Sequence, residues 1–316
     1  MMIVDESIER ESMVKSFEES LLRLGKKYQN LVVLCSDSCK EVGTEDFSKF
    51  FRDRYFNIGL AEANMASCAV GFTIRGKVPF IVGNSTFLTG KAWEQIRNGI
   101  CFPNLNVKII GVKNGLLAGQ EGVGYQALED VAIMRSIPNM KIICPADYRE
   151  ALGAIDEAAF DYGPTYIRIP DEKLPVIYGK DYKFKMGKAD TVREGSDICI
   201  FAMGQMVYTA LQVAELLKKE GVSAMVVNVS TIKPIDEEKI IECSRKVNLS
   251  VSLEDHSVIG GLGSAISEVL SEKSPAVLRK IGVEDKFGES AKAVDLYRKH
   301  GLDVLSVFNK VKSYLR

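Results

Sequence analysis

The constraint that most limits this chain's fold is an alternation of short apolar runs with helix-like stretches, which occurs twice. The runs 31–34, 78–82, 107–111 and 141–144 are apolar on both faces, as in strands covered on both sides. Between them lie helical patterns over 61–74, 92–101, 126–135 and 149–159. Strands alternating with helices predict a mostly parallel sheet flanked by helices. The run 166–169 reads as the last strand of this unit. The segment 170–186, with Pro170, Pro175, Gly179 and several lysines, reads as a loop between domains. The pattern then restarts, with strands at 197–202, 223–229 and 249–253 and helices at 207–220 and 262–270. The expectation is an α/β protein of two domains, 1–175 and a smaller 190–316. A chain of 316 residues also exceeds what one core usually fills.

Charge excludes some functions. With 41 basic and 42 acidic residues, no basic excess marks a nucleic-acid or membrane-surface partner. No apolar run approaches the roughly 18 residues of a membrane span. The polar, acidic start Met1-Met-Ile-Val-Asp-Glu-Ser7 is unlike a signal peptide, so a cytoplasmic protein is expected. The seven cysteines are scattered and mostly set in apolar runs, which reads as reduced, packed thiols and gives no metal site in this chain.

Three motifs carry candidate chemistry. In Asn57-Ile-Gly-Leu-Ala-Glu-Ala-Asn-Met65, Glu62 opens a helix of small and apolar residues. It shares a face with Met65, Ala66 and Ala69. A carboxylate on that face must find a partner or take up a proton. Taken alone, the same pattern also fits a buried structural Glu. The stretch 111–125 leaves the end of an apolar strand and holds five glycines, which permit close backbone approach. Loops at the carboxyl ends of parallel strands bind ligands, although a tight crossing of two chain segments gives the same composition. The segment 84–97 places Phe87 and Trp93 near another strand end. There an aromatic face stacks on a planar ring or caps the core. Gly260-Gly-Leu-Gly263 precedes a helix and reads as close packing more readily than as an anion site. His256 reads as structural.

In order and spacing, these motifs resemble the pyrimidine-binding and C-terminal domains of the transketolase family. The segments 126–140, 144–147, 231–236, 254–264 and 281–290 are similar to further family motifs, so the resemblance covers nearly the whole chain. It implies thiamine diphosphate as cofactor, with Glu62 as the catalytic carboxylate at N1′ of its aminopyrimidine. Asp37, Leu60, Phe87 and Trp93 are its other expected contacts in this chain. For substrate it implies Lys113, Gln120, Glu121, Tyr125 and Arg168. The Gly-Asp-Gly motif that holds the pyrophosphate and Mg2+ (or Ca2+) in this family does not occur in the sequence. The resemblance therefore implies a split enzyme. An N-terminal pyrophosphate-binding subunit would be the partner, in a heterotetramer with two copies of each chain.

The implied reaction is transfer of a two-carbon ketol unit from a ketose to an aldehyde. Two departures bear on the substrate. The family's two substrate-loop histidines are replaced by Lys113 or Asn114 and by Tyr125, and Asp171 stands where an Arg for sugar phosphate is expected. A non-standard donor or acceptor follows. A 1-deoxyxylulose-phosphate-synthase-like or 2-oxoacid-decarboxylating subunit, and a non-catalytic paralogue, are the alternatives.

Overall fold

The structure, a computed structural model, describes residues 9–36 and 42–315. Two twisted sheets organise it. The larger has seven strands in the spatial order Thr231–Lys233, Lys141–Ile143, Thr165–Ile169, Lys108–Val112, Val78–Asn84, Leu31–Cys35 and Tyr55–Asn57. All neighbours are parallel except the edge strand Thr231–Lys233. The second has five strands in the order Leu278–Val283, Leu249–Ser257, Ile198–Ala202, Ala224–Asn228 and Asp190–Arg193, with only the last antiparallel. The expected α/β class and two-domain plan are thus present.

The central strands are apolar throughout because helices cover both faces of each sheet. Leu31–Cys35, Lys108–Val112 and Ile198–Ala202 are buried at every position. Helix Glu62–Ile74 turns Met65, Ala66 and Ala69 into the core, as the spacing required. Helix Tyr148–Phe160 starts where the Asp147 carboxylate accepts from Glu150 N at 2.8 Å. The other Asp147 oxygen takes the N–H groups of Ile177 and Tyr178. One side chain thereby caps a helix and ties down the segment between the domains.

Several expected elements differ. The helix expected over 126–135 begins only at Asp130, because Ala127 bridges Asn114 and the Leu128 carbonyl accepts from Ser257 N of the second domain. The segment 92–101 is a short helix Trp93–Gln95 followed by a widened π turn Ile96–Cys101. The expected loop 170–186 contains the strand Lys173–Pro175, which pairs antiparallel with Arg10–Ser12. Thr231–Lys233, from the second unit in sequence, completes the first sheet.

A buried ion pair joins the layers. Arg168, on strand Thr165–Ile169, donates from Nε to Asp130 Oδ2 at 2.8 Å, and both side chains are shielded from solvent. Its Nη2 donates to the carbonyls of Ala127 and Asp255 at 2.9 and 3.0 Å, the second across the domain boundary. Tyr166, two residues earlier on the same strand face, donates its hydroxyl to the same Asp130 oxygen at 2.7 Å. Removing one partner of such a pair strands a buried charge. Arg168→Met is therefore expected to lower the unfolding free energy by about 3–5 kcal/mol in urea denaturation. A loss below about 1 kcal/mol, the range of a surface pair, would contradict this.

Candidate active site

The site is built at the carboxyl ends of three strands of the larger sheet. After Tyr55–Asn57 the chain turns through Gly59, whose φ is +73° and whose N–H donates to Asn57 Oδ1 at 2.9 Å. This turn delivers Glu62 as the first residue of its helix. The Glu62 side chain is 0% exposed. Its Oε2 accepts from Lys91 Nζ at 3.1 Å, while its Oε1 is buried with no hydrogen-bond partner among the described residues. An orphaned buried carboxylate oxygen costs about 1–3 kcal/mol.

Lys91 follows helix Ser85–Gly90, at the end of strand Val78–Asn84. It stands four residues after Phe87 and lies over that ring, with Nζ 4.1 Å from the centroid. The Phe87 ring meets Tyr125 at 5.3 Å with the planes tilted 59°. Tyr125 belongs to the glycine-rich segment after strand Lys108–Val112. There Lys113 Nζ stands 5.6 Å from the Tyr125 centroid and 2.7 Å from Glu121 Oε1. A continuous line of contacts therefore runs Glu62, Lys91, Phe87, Tyr125, Lys113, Glu121. Lys113 has φ +53°, a left-handed backbone rare for a long side chain. Such strain concentrates at functional positions.

The structure brings together Glu62, Phe87, Lys113, Glu121 and Tyr125 of the expected residues. Leu60 is 67% exposed on the turn just before Glu62. Gln120 is exposed, and its carbonyl accepts from Ser290 Oγ. Asp37 lies outside the described residues. Two expected residues stand outside this line. Trp93 packs against the hydrophobic core, with Arg97 over its ring. The Arg168 guanidinium is buried and engaged by Asp130, Ala127 and Asp255. Asp171 is exposed.

The two side motifs are structural. The N–H groups of Leu262 and Gly263 donate to the Glu254 carboxylate at 2.7 and 2.9 Å, so an internal anion fills that helix start. Burial pushes the Glu254 carboxyl up to about 7, against the pull of those N–H groups. His256 is buried with Nε2 accepting from Ala132 N, and burial pushes it down to about 4. It is a neutral packing residue. Lys91 is the site residue that sequence reading passed over. Its signal was the four-residue spacing from Phe87, which places both on one helical face.

With this geometry in view, similarity to known proteins is informative. Residues 10–176 match the transketolase pyrimidine-binding domain and residues 187–307 the transketolase C-terminal domain. The chain belongs to the transketolase family. It is 42% identical over 307 residues to a putative transketolase C-terminal section of Methanocaldococcus jannaschii, covering 96% of each chain. It is 37% identical to a 6-deoxy-6-sulfo-D-fructose transketolase subunit of Clostridium sp. strain MSTE9, covering 91% of this chain and 89% of that one. A solved split-gene transketolase, described as an inactive tetramer of its beta chain, superposes with a TM-score of 0.87 at 39% identity, covering 96% and 97% of the two chains. The chain is thus a transferase-type enzyme subunit of a family that depends on thiamine diphosphate. Glu62 Oε1, buried, unpaired among the described residues and linked through Lys91 to the aromatic pair, fits an aminopyrimidine nitrogen.

If Lys113 serves a ligand more than the fold, its removal is cheap. Lys113→Asn, which tolerates a left-handed backbone, is expected to change the unfolding free energy by less than about 1 kcal/mol. A loss above about 3 kcal/mol in urea denaturation would mark Lys113 as a structural residue.

Proposed function

We propose that this chain is the C-terminal subunit of a split transketolase that moves a two-carbon ketol unit from a ketose-type donor to an aldehyde acceptor. It works with an N-terminal subunit that binds the pyrophosphate and its divalent metal. The observation that carries the reading is the buried Glu62 carboxylate, with one oxygen held by Lys91 and the other unpaired. Such an arrangement is idle in a purely structural Glu and suits one that waits for a ligand.

Glu62 would hold the proton shared with N1′ of the bound aminopyrimidine. Bound there, thiamine diphosphate supplies the nucleophilic carbon and the electron sink for cleavage next to a carbonyl. Lys91 fixes the rotamer of Glu62 by gripping Oε2. Phe87 offers an aromatic face for the pyrimidine ring. Lys113 and Tyr125 are donors, and Glu121 an acceptor, for the hydroxyl and carbonyl groups of a sugar-like substrate. Lys113 is held by Glu121 within the loop, so a substrate group must compete with or bridge that pair.

The substrate is expected to be unusual. Arg168 is engaged by Asp130 within the fold, and Asp171 stands where the resemblance places an Arg for a sugar phosphate, so a phosphate there would meet a carboxylate. The relative acting on 6-deoxy-6-sulfo-D-fructose is consistent with a family branch that has departed from the common sugar phosphates. Xylulose 5-phosphate turned over as fast as by ordinary transketolases would refute the altered specificity.

Glu62→Gln keeps the shape and loses the acid. Reconstituted with its partner, the variant is expected to lose about 10²–10⁴-fold in kcat with an unchanged thermal midpoint. Lys91→Met, which frees the Glu62 rotamer, is expected to lose roughly tenfold. Wild-type turnover in Glu62→Gln would overturn the assignment and favour a non-catalytic role.

A further inference from the structure

We propose that Asp255, a second-domain residue outside the line of contacts, is the positioning residue for the 113–125 loop and so sets the enzyme's affinity for its donor substrate. This rests on the reading of that loop as substrate-binding. It assigns the second domain a task in the reaction.

The Asp255 carboxylate is buried at the domain boundary and is shared by three donors. Leu116 N donates to both its oxygens, at 2.9 and 3.1 Å. Gln205 Nε2 and the Tyr297 hydroxyl donate to Oδ2 at 2.7 and 2.8 Å. Leu116 belongs to the loop, three residues after Lys113, whereas Gln205 and Tyr297 belong to the second domain. Asp255 therefore couples the loop backbone to a fixed frame. The loop also has to come very close for this bond to form. Gly115 has φ +62°, and a Cβ there would stand 2.2 Å from Asp255 Oδ2. No other residue type fits this approach.

Two further ties support the same loop. Gln126 Nε2 bridges the carbonyls of Gly119 and Glu289 at 2.9 and 2.8 Å. Ser290 Oγ donates to the Gln120 carbonyl. A Cβ at Gly119 or Gly122 would make only ordinary contact with Ala291 or Ser290, at 3.5 Å, and it is their positive φ, +57° and +78°, that selects glycine. Gly115 is the loop glycine that the contact with the second domain requires. Lys113 and Glu121, joined at 2.7 Å, flank the Leu116 anchor, and Tyr125 precedes Gln126. Slackening the Leu116 anchor moves the pair without removing any group that reaches the site.

Asp255→Asn is nearly isosteric and isolates the effect. With its oxygen at the Oδ2 position, the amide NH2 faces the Leu116 N–H; flipped, it faces Gln205 and Tyr297. Gly115→Ala keeps Asp255 itself but drives a Cβ against its carboxylate, which forces the loop away. Tyr297→Phe deletes one donor and leaves the Leu116 bond, so it gives a weaker version of the same defect.

The three variants are reconstituted with the partner subunit. The expected result for Asp255→Asn and Gly115→Ala is faster amide hydrogen exchange confined to peptides over 113–125. It is accompanied by a donor KM raised roughly tenfold, kcat changed by less than about threefold, and unchanged thiamine diphosphate affinity. A merely structural role would instead raise exchange across both sheets and lower the amount of active enzyme without moving KM, and that result overturns the proposal. An unchanged donor KM in both variants also overturns it. Should Asp255→Asn fail to fold, Gly115→Ala and Tyr297→Phe decide the matter. Lys113→Asn in the same assay separates the two claims. Its KM unchanged sinks the substrate-loop reading, whereas its KM raised beside a normal KM in Asp255→Asn sinks the positioning claim alone.

Discussion

The architecture depends on one buried guanidinium. Arg168 sits in the centre of the seven-stranded sheet and holds Asp130, Ala127 and Asp255 at once. Those three partners are the start of a helix, the end of the glycine-rich loop, and a strand of the other domain. A buried pair of this kind contributes little net stability over an apolar replacement, but it is costly to break and specific in geometry. Here it ties the two domains at their junction. The loop that carries Lys113, Glu121 and Tyr125 lies across that junction, so the geometry of the site is inherited from it.

At the site the electrostatics are asymmetric. Glu62 is wholly buried, whereas its partner Lys91 is half exposed. A solvated ammonium compensates a buried carboxylate only in part, and one oxygen remains free. The side of the site made here supplies aromatic surface, two ammonium groups and two carboxylates. No group of three or more metal-ligating side chains occurs among the described residues. That inventory suits the ring end of the cofactor and the substrate. Under the proposed function the pyrophosphate and metal belong to the partner subunit.

Much of the fold was legible because buried parallel strands are apolar throughout and helices read at a different period. The short strands Arg10–Ser12, Lys173–Pro175 and Thr231–Lys233 were not legible. Each is three residues long and is stabilised by a partner far away in sequence. The start of helix Asp130–Arg135 was misread because Gln126 spends its amide on two carbonyls, one of them in the second domain, a fact that no local pattern records. Glu62 was legible from its helical face, and Lys91 was not, since an exposed-looking lysine after a glycine carries no burial signal. The structural engagement of Arg168 was not legible for a related reason. Its neighbour Tyr166 points to the same side of the strand, and only the fold reveals that Asp130 waits there for both.

The central claim is that the site is half made by this chain. Isothermal titration of thiamine diphosphate with Mg2+ tests it most directly, into this chain alone and into the chain mixed with a partner subunit that carries the Gly-Asp-Gly motif. The account predicts tight, saturable binding by the mixture and only weak binding by the chain alone. Equally tight binding without the partner, or turnover by the purified chain alone, would contradict it.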